Sequence, residues 1–404
     1  MYNSGIKLLN CTNMIKRMLR KELEKLLGEY PIVTILGPRQ SGKTTLARHY
    51  LTDFNYRNLE LPDVREFADE DPKGFLADAG QPVVLDEIQR VPKLLSYLQS
   101  LVDDGKSNNG RFVITGSHQL QHREAISQSL AGRTAILNLL PLSIEELQTT
   151  GIEFDHFSDY LWTGFLPRVH DQDQRPGLAY ANYYQTYVER DVRQLINLRD
   201  ATLFEKFLRL LAGRTGQLIN MESLGNDTGI DAKTIKHWLS VLEASFIIFK
   251  LPPFFEIVGK RLVKTPKYYF WEPGLLTFLL NIKDKSQILR DPLVGSLFEN
   301  LVVVEAMKAM THRGQRPNLY FYRDNHQHEI DLLFNREGSQ IGIEIKSAAT
   351  LQTSFIKSLN RLDENVLPLD EKHLVYSGNE TRSYSSGVTA INFKSTSEIM
   401  TGGN

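Results

Sequence analysis

The sequence predicts an α/β protein whose first sheet is parallel, followed by a helical block and a second α/β unit. Apolar runs of strand length at residues 31–37, 82–87 and 111–117 alternate with helix-sized amphipathic segments, which is the pattern of a parallel sheet covered by helices. The chain also has 404 residues, more than one hydrophobic core usually serves, so we expect at least three domains.

The composition is that of an ordinary folded protein. Hydrophobic residues make up 41% and charged residues 24%, which disfavours disorder and coiled-coil bias. The net charge of -1 predicts neither a nucleic acid nor a membrane as partner. The single cysteine, Cys11, favours a reducing compartment, and we expect a cytoplasmic protein. No apolar stretch reaches the length of a membrane span, so no membrane partner is expected.

The first elements are a patternless leader, residues 1–13, predicted to be disordered, and a helix that starts at Ile15. The strand at 31–37 then runs into Gly-Pro-Arg-Gln-Ser-Gly-Lys-Thr, which fits the P-loop pattern G-x-x-x-x-G-K-[ST] at every fixed position. The backbone N–H groups of such a loop wrap phosphates. The predicted nucleotide-binding residues are Gly37, Pro38, Arg39, Gln40, Ser41, Gly42, Lys43, Thr44 and Thr45.

Two roles within this loop follow from the side chains. Lys43 is expected to reach the β and γ phosphates, and the Thr44 hydroxyl to bind Mg²⁺. The next strand, Val-Val-Leu-Asp-Glu, ends in two carboxylates. Asp86 is the predicted metal-side carboxylate, and Glu87 is the predicted general base that polarises the attacking water. The second carboxylate favours hydrolysis of ATP over simple binding.

The third strand and the segment after it offer two further candidates. Ser117 ends the strand Ile-Thr-Gly-Ser and is either a γ-phosphate sensor or part of a structural turn. Arg133 follows in Ser-Leu-Ala-Gly-Arg. It is either an arginine finger for the ATP site of a neighbouring subunit or an ordinary surface ion-pair residue.

The segments GPRQSGKTT, LDEIQ, ITGS and SLAGRT together resemble the prokaryotic AAA-type (AAA+) ATPases that carry a C-terminal DUF4143-type region. YVERDV at 187–192, KTPKYYFWEPGLL at 264–276 and IEIKS at 343–347 extend the resemblance over nearly the whole chain from Met14. The resemblance implies a P-loop NTPase core with a RecA-like parallel sheet, ATP and Mg²⁺ as ligands, and assembly into a homo-oligomer, either a ring or a dimer.

The middle of the chain predicts a winged helix-turn-helix. Asn220 and Asp231 can cap two helices, and Gly229 can turn the chain between them. Residues 201–270 contain ten basic and six acidic residues, so this block is expected to have a positive electrostatic potential. The block either contacts DNA or docks a protein. The possible DNA contacts are Lys233, Lys236, His237, Lys260, Arg261, Lys264 and Lys267.

The last block predicts a restriction-endonuclease-like α/β domain. Asp331 lies in one strand, and Glu344 and Lys346 lie on one face of the next. This spacing looks like the PD-(D/E)XK nuclease core, in which two carboxylates hold Mg²⁺ and the lysine acts on the attacking water. Glu299 in the preceding helix matches the extra acid of that pattern. The domain either cleaves DNA or has become a binding module.

The expected organisation is an AAA+ core at 14–145, a helical extension at 146–200, a winged helix at 201–285 and a nuclease-like domain at 286–404. The leading hypothesis is an ATPase that couples ATP hydrolysis to binding or remodelling of DNA. The alternative is a nucleotide-dependent switch or scaffold that binds a protein partner and has an inactive nuclease-like domain.

Overall fold

The computed structural model describes residues 15–104, 109–117, 129–195, 200–254 and 265–403. The predicted leader lies outside these residues. They form a five-stranded, a six-stranded and a two-stranded sheet, surrounded by helices. Within the described ranges, no helix is long and apolar enough to cross a membrane.

The first sheet is entirely parallel, as predicted, with strand order β2-β3-β4-β1-β5. Its strands are β1 (Ile32–Gly37), β2 (Asn55–Asn58), β3 (Val83–Asp86), β4 (Phe112–Ser117) and β5 (Thr134–Asn138). Its helices are α1 (Arg20–Glu29), α2 (Lys43–Tyr50), α3 (Pro62–Glu70), α4 (Pro72–Ala79) and α5 (Leu94–Asp103).

Both faces of this sheet are covered where its central strand β1 runs. All six residues of β1 are buried. Ile32 and Leu36 pack into one apolar cluster, while Val33 and Ile35 pack into another, since successive side chains of a strand point to opposite faces. The sheet therefore sits between two helical layers, and its carboxyl edge is left for the loops.

A helical block follows the first sheet. Its first helix is capped by a reciprocal pair, because the Ser143 hydroxyl accepts the Glu146 amide and the Glu146 carboxylate accepts the Ser143 amide. The elements are α6 (Ile144–Gln148), α7 (Phe157–Thr163), α8 (Pro167–Asp171), α9 (Pro176–Tyr183), a π-helix (Tyr184–Val192) and α10 (Arg193–Leu195).

The third block contains the two predicted caps. Asn220 accepts the Ser223 amide and Asp231 accepts the Thr234 amide, while Gly229 turns the chain with φ 82°. Its helices are α11 (Ala201–Ala212), α12 (Met221–Thr228) and α13 (Ala232–Ala244), and its antiparallel strands are β6 (Ile248–Leu251) and β7 (Lys267–Phe270). Lys260, Arg261 and Lys264 lie outside the described residues.

The last block is built on a mixed sheet with order β12-β13-β11-β10-β9-β8. Its strands are β8 (Tyr320–Arg323), β9 (Glu329–Arg336), β10 (Ser339–Lys346), β11 (Glu371–Tyr376), β12 (Arg382–Ser383) and β13 (Val388–Asn392). Helices α14 (Pro273–Leu279) and α15 (Lys285–Ile288) precede this block, and its own helices are α16 (Val294–Thr311), α17 (Lys357–Asn365) and α18 (Thr396–Thr401).

One apolar cluster runs through the three blocks after the first sheet. It extends from Leu140 to Met400 and includes side chains of the helical block, of α13 and of the buried helix α16. The segments predicted as separate domains therefore share a core, while most of the first sheet packs into two clusters of its own.

Candidate nucleotide site and a second charged cluster

The phosphate-binding loop lies at the carboxyl edge of the parallel sheet, between β1 and α2. Two residues adopt left-handed backbone conformations, Gln40 at φ 63° and Gly42 at φ 93°. A Cβ on Gly37 would lie 2.2 Å from the carbonyl oxygen of Leu139, so only glycine fits there. The loop thus presents backbone amides and the amino end of α2, as phosphate binding requires.

Lys43 is buried in the loop. Its ammonium group donates hydrogen bonds to the carbonyls of Gly37 at 3.0 Å and Pro38 at 2.8 Å. Burial lowers the pKa of Lys43 to about 8, and the negative charges of Glu87 and Asp86 oppose that shift. A phosphate placed in the loop would offer the ammonium group a stronger, anionic acceptor.

Asp86 at the end of β3 accepts hydrogen bonds from three hydroxyl groups. Thr44 donates to Oδ2 at 2.9 Å, Tyr56 on β2 donates to the same oxygen, and Thr115 on β4 donates to Oδ1. Thr44 and Asp86, both predicted as Mg²⁺ ligands, thus lie in direct contact. Tyr56 and Thr115 were not among the predicted residues; the adjacent strands β2 and β4 bring them to Asp86.

Glu87 follows Asp86 in a left-handed conformation with φ 60°. Its amide donates to the Thr115 hydroxyl at 3.2 Å, and Gln89 donates to its carboxylate. Burial raises the pKa of Glu87, the charge of Lys43 lowers it, and Asp86 raises it again. A carboxyl group with a raised pKa beside the phosphate loop is suited to accept a proton from water.

Ser117 and Arg133 lie at opposite ends of the sheet. The backbone of Ser117 is in register with Gly37 at the carboxyl edge, where a sensor would have to be. Arg133 immediately precedes β5, whose first residue is in register with the start of β1, far from the loop of its own chain. Its guanidinium group binds Asp103 through two nitrogens at 2.6 and 2.7 Å. The finger role stays a prediction.

A cleft of about 540 Å³ opens beside the loop, within the range of small-molecule sites. The loop and α2 form one wall, and the other includes Arg168 of α8 and Tyr187 of the π-helix. An ion pair spans the two sides, since Nη2 of Arg39 lies 2.9 Å from Oδ2 of Asp191. The helical block therefore encloses the space beyond the phosphates, where a base and ribose would fit.

The donor set beside the loop fits Mg²⁺. A threonine hydroxyl and a carboxylate oxygen lie 2.9 Å apart, and both are hard oxygen ligands. Mg²⁺ is usually bound by one or two carboxylates together with substrate phosphates and water, so two protein ligands suffice. Thr44 and Asp86 are the residues that would hold it.

The basic face predicted on α13 is partly confirmed. Lys233, Lys236 and His237 are exposed, while Ile235 and Trp238 on the opposite face are buried. The prediction that Lys267 belongs to the outward basic set is wrong. Only 2% of its surface is exposed, because β7 is buried at all four positions and the lysine points into an acidic cluster.

This acidic cluster lies where α16, β7, β9 and β10 meet. The Lys267 ammonium group binds Glu299 at 2.8 Å and also Glu329. Burial alone would lower the pKa of Lys267, but Glu299, Asp331 and Glu329 raise it. The structure thus brings the predicted Glu299 and Asp331 together with Glu329, which was not predicted, and with a lysine that the sequence assigns to the outward basic set.

Each predicted nuclease-like residue already has a protein partner in this cluster. Lys346 donates to Glu344 at 2.5 Å, and Asp331 accepts the amide of Ile345 at 2.7 Å. Burial raises the pKa of Glu344 to about 8, and Asp331 adds to the shift. Among the described residues no group of three or more His, Cys, Asp or Glu side chains could hold a metal ion. The arrangement does not fit Mg²⁺, because the ammonium groups of Lys267 and Lys346 occupy the carboxylate oxygens of Glu299 and Glu344 that a metal ion would need.

Three family models match successive parts of the chain. Residues 29–148 match a model described as an AAA domain. Residues 154–286 match a domain of unknown function, DUF8612, and residues 294–396 match another, DUF4143. The matches support a P-loop ATPase core joined to a DUF4143 region.

Relatives match over most of the chain. Uncharacterized proteins of Mycobacterium tuberculosis and Mycobacterium bovis are each 29% identical over 390 residues, covering 95% of this chain and 85% of theirs. An uncharacterized protein of Methanocaldococcus jannaschii is 25% identical, covering 72% of this chain and 70% of its own. Among solved structures, a Walker-type ATPase of Pyrococcus abyssi is 14% identical with a TM-score of 0.43, covering 66% of this chain and 96% of that chain.

Proposed function

We propose that this protein binds ATP together with Mg²⁺ and hydrolyses it. The single observation that carries the proposal is the meeting of Lys43, Thr44 and Asp86 at the amino end of α2, with the Thr44 hydroxyl 2.9 Å from the Asp86 carboxylate. Loop amides, a lysine ammonium group and paired oxygen ligands are the set that a nucleoside triphosphate needs.

The residues of the loop would act on the phosphates. Lys43, now bonded to two loop carbonyls, would turn to the β and γ phosphate oxygens. Mg²⁺, when bound with the nucleotide, supplies neutralisation of the phosphate charge, and Thr44 and Asp86 would hold it. Thr115 and Tyr56 keep the Asp86 carboxylate in place while this occurs.

Glu87 supports hydrolysis rather than binding alone. Its raised pKa makes the carboxylate more basic than usual, the amide bond to Thr115 fixes its backbone, and Gln89 donates to the carboxylate itself. Its role is to take the proton of the attacking water as the water adds to the γ-phosphorus. The proton passes to a Glu87 carboxylate oxygen, and ADP leaves with the electrons of the broken bond.

Phosphate release and nucleotide binding, measured on the same preparations, test the proposal. Lys43→Ala should abolish both, whereas Glu87→Gln should retain binding and lose about 10²- to 10⁴-fold in kcat. Glu66→Gln, an exposed acid on α3, is the matched control and should hydrolyse ATP as the wild type does. Equal turnover in the wild type and in Lys43→Ala would overturn the assignment.

The partner of the ATPase is proposed to be DNA. The supporting observation is the exposed basic face of α13, with Lys233, Lys236 and His237 pointing outward, since phosphate contacts need exposed cations. The other candidate is a nucleotide-dependent switch that docks a protein. The ion-paired acids of the last block support it, because Lys267 binds Glu299 and Lys346 binds Glu344 where a nuclease would need a metal.

A further inference from the structure

We propose that Arg17 is a positioning residue of the phosphate-binding loop, an inference that rests on the proposed ATP site. Arg17 lies before α1, outside every motif of the sequence, and 7% of it is exposed. Its Nη1 donates to the carbonyl of Ser41 at 2.6 Å, and its Nη2 donates to the carbonyl of Leu140 at 2.6 Å. One guanidinium group therefore ties the loop to the segment that follows β5.

The hydrogen bond to Ser41 fixes the orientation of a peptide unit within the loop. The carbonyl of Ser41 and the amide of Gly42 belong to the same planar, trans peptide, so they point in opposite directions. Because Arg17 holds the carbonyl, the Gly42 N–H faces away from Arg17. Gly42 at one end of this unit and Gln40, the residue before Ser41, adopt left-handed conformations. Arg17 keeps an amide available to phosphate.

Glu146 holds Arg17 in this position. Its side chain has no exposed surface, and its Oε1 accepts from Nε of Arg17 at 3.1 Å and from the amide of Met18 at 2.8 Å. Its other oxygen accepts the amide of Ser143 at 3.1 Å. The guanidinium group is thus bonded on three sides, to the loop, to the segment after β5 and to a fixed carboxylate.

The same segment is bonded to the long helix α16 of the last block. Glu305 accepts the amide of Ile144 at 2.7 Å, and Lys308 donates to the carbonyl of Leu142 at 2.6 Å. His312, just after α16, lies with its Nδ1 3.6 Å from Oε1 of Glu146. The position of Arg17, and through it the loop, therefore depends on how α16 docks against residues 140–146.

The test must distinguish a role of Arg17 in positioning the loop from a role in the stability of the fold. Arg17→Met leaves Glu146 as an uncompensated buried carboxylate, which would itself destabilise the protein. The double variant Arg17→Met/Glu146→Gln removes both charges and is expected to unfold cooperatively within a few degrees of the wild-type Tm. Its Kd for ATP is expected to rise about tenfold or more, since the loop loses a charge-assisted hydrogen bond, while kcat at saturating ATP changes about twofold or less.

Arg17→Lys is the second variant. It keeps the charge, but one ammonium group cannot replace the planar fork that reaches Ser41, Leu140 and Glu146 together, so ATP binding should weaken here too. Arg20→Met, which removes an exposed arginine bonded to Glu24, is the matched control and should bind as the wild type does.

The outcomes separate the two proposals. Wild-type affinity for ATP in both Arg17→Lys and the double variant would overturn the role of Arg17 while leaving the ATP site intact. A wild type that binds no ATP, measured beside Lys43→Ala, would instead overturn the proposed function. A fall in kcat with an unchanged KM in Arg17→Lys would also contradict positioning of the loop for binding.

Discussion

The ammonium group of Lys267 lies 2.8 Å from Oε1 of Glu299, and the lysine is almost completely buried. Lys267→Met removes the cation and leaves Glu299 and Glu329 beside each other without it. We expect the free energy of unfolding to fall by about 3 kcal/mol, because breaking a buried ion pair leaves uncompensated charge. Chemical denaturation measures the change.

The control for that variant is Lys250→Met on the neighbouring strand. The Lys250 side chain is 57% exposed and lies 3.5 Å from Glu243, so its removal should cost about 1 kcal/mol or less. Equal stabilities of the two lysine variants would contradict the structural role of Lys267.

The affinity for ATP should depend on pH through Lys43. Its pKa of about 8 in the folded protein would be raised by a bound phosphate. Below pH 8 the lysine is already protonated, so binding takes up no proton there. Above pH 8 binding requires proton uptake, and the Kd should increase by up to about tenfold per pH unit. Calorimetric titration in buffers of different ionisation enthalpy measures both quantities.

Raising the pH through the pKa of Lys43 should increase the stability of the fold, although it weakens the binding of ATP. Because the pKa of Lys43 in the folded chain is lower than the unfolded value of 10.5, the unfolded chain holds more protons between the two. The contribution of Lys43 to stability therefore rises as the pH passes upward through about 8.

A constant Kd for ATP from pH 7 to 9.5 would show that Lys43 does not meet the phosphates.

Thr115→Val should reduce turnover more than binding. The substitution removes the hydroxyl that donates to Asp86 and accepts the Glu87 amide, so the Asp86 carboxylate and the Glu87 backbone lose their common support. We expect kcat to fall about tenfold, the effect of one charge-assisted hydrogen bond, with KM changed much less. Steady-state phosphate release measures both constants.

Thr34→Val is the matched control for that change. Thr34 is a buried threonine on the neighbouring strand, and its hydroxyl shares a 2.8 Å hydrogen bond with Thr134, at the side of the sheet away from the loop. The Thr34→Val substitution should lower the Tm without a comparable loss of kcat. A Thr115→Val enzyme with wild-type kcat would show that Asp86 and Glu87 are held adequately without it.

DNA binding should depend on the outward face of α13. Lys233→Ala/Lys236→Ala should weaken binding to duplex DNA uniformly across sequences and lower the salt slope by about 2, one for each lost phosphate contact. Lys206→Ala, an exposed lysine on α11, is the control. Filter binding at several salt concentrations measures the slope. An unchanged slope would favour the protein-docking alternative.

The parallel sheet, the loop and the contact of Thr44 with Asp86 could be predicted because each depends on residues close in sequence or on strand ends that share one edge. Tyr56, Thr115 and Arg17 could not. Their roles arise from which strands are neighbours and from a segment 24 residues before Ser41, and their residue types are ordinary. Only the packed structure brings them to the site.

Lys267 shows why a local charge pattern misleads. In the sequence it closes a basic run, and such runs usually lie on a surface. In the structure it belongs to a strand enclosed on both faces, so its side chain must turn inward, and the acids of α16 and β9 are its partners. Asp331 and Glu344 lie on the paired strands β9 and β10, as the sequence predicts, whereas Glu329 was not predicted.

The three hydroxyl groups that surround Asp86 also set an order of events. Each of them points its proton at the carboxylate, so a free divalent cation arriving alone would meet an oxygen pair already engaged, and Thr44 would have to rotate before it could offer a lone pair. When the metal ion arrives bound to a nucleotide, the negative phosphates that balance its positive charge enter the site with it. We therefore expect the protein to bind the metal–nucleotide complex in one step rather than free metal first.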